Sequence, residues 1–176
     1  MEQKVIGDTT FEIVQGDITQ QETDAIVNAA NKQLAPGGGV AGAIHRVAGP
    51  DLWQECRRLG GCETGEAKIT AGYKLRARYV IHTVGPIYSG SPQDAVALQA
   101  CYQNSLSLAD KHGLTSIAFP AISTGAFGYP IQIAAEISLS TVKTYLENKT
   151  NIVLVRFVLF SQNVYDAYRK ALIALC

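Results

Sequence analysis

Residues 25–45 restrict the possible folds of this chain more than any other stretch. They begin with the apolar run 25–27, typical of a buried strand, and continue through Asn28 and Asn31 to Pro36 and three consecutive glycines. A helix rich in small residues is predicted to begin at Val40 or Ala41. Glycines let backbone N–H groups approach an anion, and a helix N-terminus adds unpaired donors and partial positive charge. The stretch therefore predicts either a phosphate-binding loop or a flexible surface loop.

The glycine run matches neither of the two common nucleotide-binding fingerprints. No Lys-Ser or Lys-Thr pair follows it, as a P-loop requires, and its glycines are contiguous, unlike those of the dinucleotide motif. A second glycine-rich loop, residues 123–128, lies between a predicted strand and a helix predicted to begin at Pro130. Neither loop contains Lys or Arg. Two such loops predict a ligand with two phosphates held mainly by backbone N–H groups, with tight turns as the alternative.

Strand patterns alternate with helix patterns along the whole chain. The predicted strands are residues 10–15, 24–29, 66–70, 79–84, 116–122 and 152–160. The predicted helices are residues 41–59, divided by Gly49 and Pro50, and residues 94–112, 130–148 and 163–175. Apolar central strands require helices on both faces of the sheet. The pattern predicts an α/β fold with three layers and a mostly parallel sheet.

Length and composition favour one globular domain over residues 1–176. The formal net charge is zero, so a basic field for broad nucleic-acid binding is absent. The first residues lack the apolar core of a signal peptide, and the apolar run 152–160 is too short for a membrane span and contains Arg156. We expect a cytoplasmic monomer that makes no membrane contact.

The cysteines lie at positions 56, 62, 101 and 176, and no two of them form a CxxC pair. This spacing favours free, mostly buried thiols over disulfides. A metal site built from Cys56, Cys62 and His45 does not fit the usual zinc-ligand spacings. No metal and no cofactor is expected.

Several candidate binding residues follow predicted strands. In parallel sheets ligands bind beyond the carboxyl ends of the strands, so Asp17, the segment from Asn28 to Gly37 and the loop from Ser123 are expected to face one crevice. Asp17 is either a turn cap or an acceptor for an amino group of a base. Asn28 and Asn31 either bind sugar hydroxyls or satisfy the backbone at the strand end.

Three ring side chains leave further alternatives. His45 is either a hydrogen-bonded link between loop and helix or a catalytic base without an evident acid partner. Phe127 and Phe160 follow strands, where each either forms a wall of the crevice or packs in the core.

Taken together, the motifs resemble those of the MacroD-like macrodomains, a family that binds ADP-ribose. The matching segments are residues 16–19, 24–31, 37–40, 42–45, 61–67, 79–86 and 119–128. The resemblance implies a three-layer α/β/α sandwich with a mixed, mostly parallel central sheet. It also implies ligand-binding roles. Adenine would be held by Asp17, Ile18 and Phe160. The diphosphate would lie between the two loops, against Gly38, Gly39 and Val40 on one side and Ser123, Thr124, Gly125, Ala126 and Phe127 on the other.

The resemblance further places Asn28 and Asn31 near the distal ribose, with Asn31 as the catalytic candidate. It implies hydrolysis of ADP-ribose esters, on ADP-ribosylated Asp or Glu side chains of proteins or on O-acetyl-ADP-ribose. The alternatives are a non-catalytic ADP-ribose reader and an ADP-ribose 1″-phosphate phosphatase. One residue departs from the family pattern, because the usual Asp after Gly-Gly-Gly-Val is Ala41. Alanine cannot orient or activate water, which favours the reader, whereas Asn31 and the intact loops favour turnover.

Overall fold

The computed structural model describes residues 2–175, which form seven strands and five α-helices. The strands are β1 (Glu2–Ile6), β2 (Thr9–Gln15), β3 (Ala25–Ala29), β4 (Ala67–Ala71), β5 (Tyr79–Thr83), β6 (Ser116–Phe119) and β7 (Leu154–Leu159). The helices are α1 (Gly39–Ala48), α2 (Pro50–Cys56), α3 (Pro92–Lys111), α4 (Ile131–Leu146) and α5 (Gln162–Ala174). All six predicted strands and all predicted helices are present, with ends shifted by a few residues.

The strands form one mixed sheet in the order β1-β2-β7-β6-β3-β5-β4. Five strands are parallel to one another, namely β2, β7, β6, β3 and β5. The edge strands β1 and β4 are antiparallel to β2 and β5, respectively. The mixed, mostly parallel sheet is confirmed.

Helices cover both faces of the sheet. Successive strand residues point to opposite faces, and β3 shows this directly: Ile26 packs with Ile44 and Leu52 of α1 and α2, whereas Val27 packs in the cluster formed by α3, α4 and α5. Because both faces of the central strands are buried, their sequences are mostly apolar and do not alternate between apolar and polar residues. The three-layer α/β/α architecture is confirmed.

The sequence patterns missed β1. This strand alternates half-buried and exposed residues, and Val5 is 69% exposed, so the strand has too little apolar character to be recognised. It pairs with β2 through a hairpin at Gly7, whose φ of 58° lies in the left-handed region that glycine adopts readily. The predicted strand 116–122 extends three residues too far. Ile122 is apolar because it packs in the core, not because it pairs with a neighbouring strand.

The helix after the glycine run begins earlier than predicted. Helix α1 begins at Gly39, inside the run, and ends before Gly49, whose φ is 87°. Helix α2 starts at Pro50 and ends at Cys56, followed by the 3₁₀ turn Arg57–Leu59. The predicted division at Gly49 and Pro50 is confirmed, because proline is accepted at the first position of a helix but not in its interior.

The connections place a crevice between β3 and β6. Strand β3 leads into α1 on one face of the sheet, whereas its neighbour β6 leads into α4 on the other face. The chain therefore leaves two adjacent strands in opposite directions. Such a switch point opens a crevice beyond the carboxyl ends of the strands, where α/β proteins bind ligands.

Candidate functional site

A cleft of about 350 Å³ occupies this switch point. Its walls are the β3–α1 loop, the start of α1, Gly85 after β5 and the loop after β6. The lining residues are Ala29, Ala30, Asn31, Gly37, Gly38, Gly39, Val40, Ala41, Gly85, Ala121, Ile122, Ser123, Gly125, Ala126 and Phe127. None of them carries a charge, so an anionic ligand in this cleft must be held by neutral donors.

The β3–α1 loop is held by the side chain of Asn31. The Asn31 amide accepts a hydrogen bond from Ala35 N and donates one to Ala35 O, both at 2.9 Å. Leu34, fully buried with a φ of 58°, donates its N–H to Asn31 O. The predicted catalytic residue Asn31 thus lines the cleft and also fixes the shape of the loop.

The N-terminus of α1 faces the cleft without a side-chain cap. The residue before the helix is Gly38, which has no side chain to cap the first turn, and that turn contains no acidic residue. A Cβ at Gly42 would lie 2.2 Å from Gly37 O, so this close approach of loop to helix requires glycine. The unpaired N–H groups of the first turn are therefore available to an anion.

The loop after β6 contains a buried hydroxyl without a hydrogen-bond partner. Ser123 has a φ of 68° and is 7% exposed, and its Oγ has no hydrogen-bond partner among residues 2–175. The loop is closed by hydrogen bonds from Tyr129 N to Ser123 O at 2.8 Å and from Gly128 N to Gly125 O at 3.0 Å. The hydroxyl is buried within the wall of the cleft, so the cleft surface of this loop consists of its backbone and its small side chains. Thr124, from the same loop, is not among the lining residues.

Gly85 is a site residue that the sequence patterns did not single out. It follows the predicted strand 79–84 and belongs to the matching segment 79–86, but no binding role was predicted for it. It lines the cleft, and a Cβ there would lie 2.2 Å from Ser123 Oγ. Its position directly after a parallel strand is the signal that could have identified it.

Asp17 and Phe160 lie side by side at the ends of β2 and β7. These strands are paired up to Gln15 and Leu159, and Gly16 N donates to Leu159 O at 3.0 Å. Asp17 Oδ1 accepts hydrogen bonds from Thr19 N and Thr19 Oγ1, which confirms the capping alternative.

Each of the two residues also presents a free surface. The second carboxylate oxygen of Asp17 makes no hydrogen bond within residues 2–175, and the side chain is exposed. Phe160 is 85% exposed, so it is not a core residue. Ile18, by contrast, is buried. A flat apolar ring beside a free carboxylate oxygen can hold a planar base that carries an amino group.

The spacing of the strands sets the distance between Asp17, which follows β2, and Asn31, which follows β3. Strands β2 and β3 are three positions apart in the sheet order, which corresponds to about 14 Å at the usual strand spacing. A ligand that contacts both Asp17 and Asn31 must therefore be elongated, with its middle part beside the loop after β6.

The structure corrects the expected position of Asn28. Its side chain is 1% exposed and lies on the face of the sheet covered by α1 and α2, where Nδ2 is 3.0 Å from Nδ1 of His82. It does not line the cleft, because β3 side chains alternate between faces and this one points into a helix layer.

His45 also differs from the expected hydrogen-bonded link. It lies one turn beyond Ala41 and is 7% exposed, and neither ring nitrogen has a partner among residues 2–175. Burial lowers its pKa, which favours the neutral imidazole at pH 7.

His82 belongs to the same buried layer. Burial, and secondarily the charge of His45, lowers the pKa of His82 to about 3. Its Nε2 is 2.9 Å from Thr70 Oγ1, which itself donates to Ala71 O, so His82 acts as the donor to Thr70. Nδ1 is then left as the acceptor for the amide of Asn28.

The predicted free, buried thiols are confirmed for Cys56, Cys62 and Cys101, whereas Cys176 lies outside the described residues. Burial raises the pKa of both Cys56 and Cys62 to about 11, so neither thiol is a reactive nucleophile at neutral pH. Within residues 2–175, no group of three or more His, Cys, Asp or Glu side chains could hold a metal ion. No helix among the described residues has the length and apolarity needed to cross a membrane.

Comparison with known families decides the identity of this fold. The model of the Macro domain family matches residues 27–138, which include both loops that form the cleft. The chain belongs to the macrodomain family.

Similar macrodomain proteins span the same length in some cases and are longer in others. A macro domain-containing protein of Chlorobaculum tepidum is 54% identical over 162 residues, covering 92% of this chain and 94% of that protein. The ADP-ribose glycohydrolase MACROD2 of Xenopus laevis is 54% identical over 160 residues, covering 89% of this chain. The chain spans 38% of the length of MACROD2.

Solved macrodomain structures have the same architecture. The Oceanobacillus iheyensis macrodomain with ADP superposes with a TM-score of 0.95 at 45% identity, covering 98% of this chain and 95% of that one. The Trypanosoma brucei macrodomain in complex with ADP-ribose gives a TM-score of 0.86 at 45% identity, covering 91% and 68%.

Proposed function

We propose that this macrodomain binds ADP-ribose and hydrolyses esters of ADP-ribose. The observation that carries the proposal is the charge-free cleft between two glycine-rich loops, with the uncapped N-terminus of α1 among its lining residues. Neutral backbone donors suit a diphosphate that is retained, whereas phosphoryl transfer usually recruits metal ions and cationic side chains. The family relatives named as ADP-ribose glycohydrolases, and macrodomain structures with ADP and ADP-ribose, support the same ligand.

The proposed pose follows the line of strand ends. Adenine stacks on Phe160 and donates its amino group to the free oxygen of Asp17. The diphosphate lies between the N-terminus of α1 and the loop of Ser123. The distal ribose lies beside Asn31, at the far end of the cleft. The separation of about 14 Å between β2 and β3 supports an elongated dinucleotide-like ligand over a mononucleotide.

The proposed reaction has to proceed without a carboxylate at position 41. Ala41 is 5% exposed and lines the cleft, and none of the lining side chains titrates. The attacking water is therefore oriented by the substrate diphosphate and by Asn31. A general base or acid contributes typically 10²–10⁴-fold to a rate, so turnover is expected to be slow.

The second candidate is a non-catalytic ADP-ribose reader. The observation that favours it is the same absence of a titratable side chain in the cleft, which leaves binding intact but removes the group best suited to activate water.

One pair of assays distinguishes the two functions. The protein is incubated with a protein mono-ADP-ribosylated on glutamate and, separately, with O-acetyl-ADP-ribose, and released ADP-ribose is followed over time. Binding of free ADP-ribose is measured in parallel by calorimetry. Release above the uncatalysed rate supports the hydrolase, binding without release supports the reader, and absence of binding rejects both.

A further inference from the structure

An uncharged, apolar rim adjoins the end of the cleft at Phe127. Ile87 is 69% exposed and Tyr88 is 39% exposed, an unusual position for two neighbouring large apolar residues. Tyr88 N donates to Phe127 O at 2.8 Å, so this segment is joined directly to a residue that lines the cleft. Gly85, two residues before Ile87, is itself part of the lining. The rim, defined here as Ile87, Tyr88 and Phe127, is thus continuous with the cleft.

The rim is held in a fixed conformation. The ring of Tyr88 packs on that of Tyr129 with centroids 4.9 Å apart. Asp94, near the start of α3, accepts hydrogen bonds from Ser89 N at 2.8 Å and Gly90 N at 2.9 Å. These contacts fix the segment on both sides of Ile87, whose side chain remains exposed. A partner that binds Ile87 therefore does not have to order this segment, which lowers the entropic cost of binding.

The chain segments that form the rim contain no charged residue, and the nearby Asp94 carboxylate is 7% exposed and hydrogen-bonded to Ser89 and Gly90. Residues 85–93 and residues 117–135 contain no Lys, Arg, Asp or Glu. On the other side of the cleft, Lys32 pairs with Glu63 and Arg46 lies exposed on α1. The rim therefore offers an apolar surface to whatever extends beyond the bound ligand, whereas charged side chains flank the opposite wall.

We propose that this rim is the docking surface for the polypeptide that carries the ADP-ribose, and that it favours apolar residues beside the modified side chain. The inference rests on the proposed function, because it requires the distal ribose to lie in the part of the cleft that Asn31 lines, with its linked polypeptide leaving on the side of Phe127. The modified protein has to leave the cleft from that ribose. It therefore passes over Ile87 and Tyr88, where apolar side chains lose contact with water.

The test uses two peptides, each mono-ADP-ribosylated on a single glutamate. In one peptide the glutamate is flanked by leucines, and in the other by serines. Binding of both peptides and of free ADP-ribose is measured for the wild-type protein, for Ile87→Ser and for Ile173→Ser, from association and dissociation phases recorded before hydrolysis. The matched control is Ile173, which is 57% exposed on α5. This helix packs on β1 and β2, near the edge of the sheet opposite to β5.

The wild-type protein is expected to bind the leucine peptide about three- to tenfold more tightly than the serine peptide, since part of a large apolar side chain is buried. Ile87→Ser should remove this preference and leave the affinity for free ADP-ribose unchanged, whereas Ile173→Ser should keep the preference. The preference should also be insensitive to salt, because no charges are involved. Both variants change exposed side chains, so both should fold.

Two results would overturn the docking surface while leaving the proposed function intact. One is equal binding of the two peptides by the wild-type protein, and the other is a preference that survives Ile87→Ser. Failure of the wild-type protein to bind free ADP-ribose would instead reject the proposed function, and the docking surface with it.

Discussion

Single residues in the cleft and at the neighbouring ends of β2 and β7 carry different parts of the proposed recognition. At the adenine end, Asp17 uses one carboxylate oxygen to cap Thr19 and keeps the other free. At the ribose end, Asn31 shapes its own loop, and Ala41 stands where an acidic side chain would reach the ligand. Substitutions that separate these roles are more informative than simple truncations.

Asp17→Asn is the substitution that separates capping from base recognition. Asparagine can still accept from Thr19 through its carbonyl oxygen, because it is as good a cap as aspartate. Its amide group, however, would meet the adenine amino group donor to donor. We expect unchanged thermal stability and a loss of ADP-ribose affinity corresponding to about 1.5–3 kcal/mol, the range for hydrogen bonds to charged groups. Calorimetry shows the loss; wild-type affinity in this variant would remove Asp17 from the adenine site.

Ala41→Asp tests whether the missing carboxylate limits the rate. Ala41 is the third residue of α1 and so lies in its first turn, where a negative charge is favourable, and it lines the cleft. We expect a faster single-turnover rate on an ADP-ribosylated protein, towards the 10²–10⁴-fold that a general base supplies, with a modest loss of affinity from repulsion by the diphosphate. Ala41→Asn is the control, since it adds similar volume without the charge. Equal rates for the wild-type protein and Ala41→Asp, with binding retained, would favour the reader.

Sequence reasoning at this scale succeeded where a residue is chosen for its backbone and failed where side-chain direction matters. Gly38, Gly39 and the loop from Ser123 line the cleft as predicted, because a glycine-rich loop between a strand and a helix start lies beyond the carboxyl end of that strand. Asn28 was misplaced because the face towards which a strand residue points depends on strand register, which a local motif does not contain.

Among the secondary-structure elements, α1 shapes the cleft, because its first turn lies in close contact with the β3–α1 loop. Gly42→Ala would place a Cβ 2.2 Å from Gly37 O, a backbone atom that can yield only if the loop moves. We expect a loss of unfolding free energy of about 1–3 kcal/mol, as for other overpacked sites, together with weaker ADP-ribose binding. The control is Gly38→Ala, where nothing lies within 4 Å of the added Cβ. Chemical denaturation compares the two, and equal stability would show that the close contact is not needed.

At the level of elements the sequence predicts the core strands and most helices because buried parallel strands and amphipathic helices have distinct patterns. It missed β1 because a half-exposed edge strand with Glu2 and Lys4 has no apolar signature. The order of strands in the sheet, which brings β3 beside β6, depends on contacts distant in sequence and is known only from the structure.

The whole molecule is expected to lose stability in mild acid through its buried histidines. The folded-state pKa of His82 is lowered to about 3 by burial, whereas the unfolded chain binds this proton near pH 6.5. Between these values the unfolded state holds more protons, so the free energy of unfolding falls as pH falls, by up to about 1.4 kcal/mol per pH unit for one such group. The lowered pKa of His45 acts in the same direction.

Denaturant titrations from pH 7 to pH 4 measure this slope. His82→Gln keeps a polar side chain but removes the titrating group, so its stability should depend less steeply on pH than that of the wild-type protein. The same slope in both proteins would contradict the assignment of the proton to His82.

The central claim is that the two glycine-rich loops hold the diphosphate of ADP-ribose, and calorimetric titration of wild-type protein and Gly125→Val with ADP-ribose tests it most directly. Gly125 lines the cleft, and nothing lies within 4 Å of an added Cβ, so the fold should tolerate the substitution while the branched side chain occupies the space of the phosphate oxygens. We expect one-to-one binding by the wild-type protein and a loss of at least tenfold in affinity in a variant with unchanged thermal stability. Equal affinities in the two folded proteins, or no binding by either, would contradict the claim.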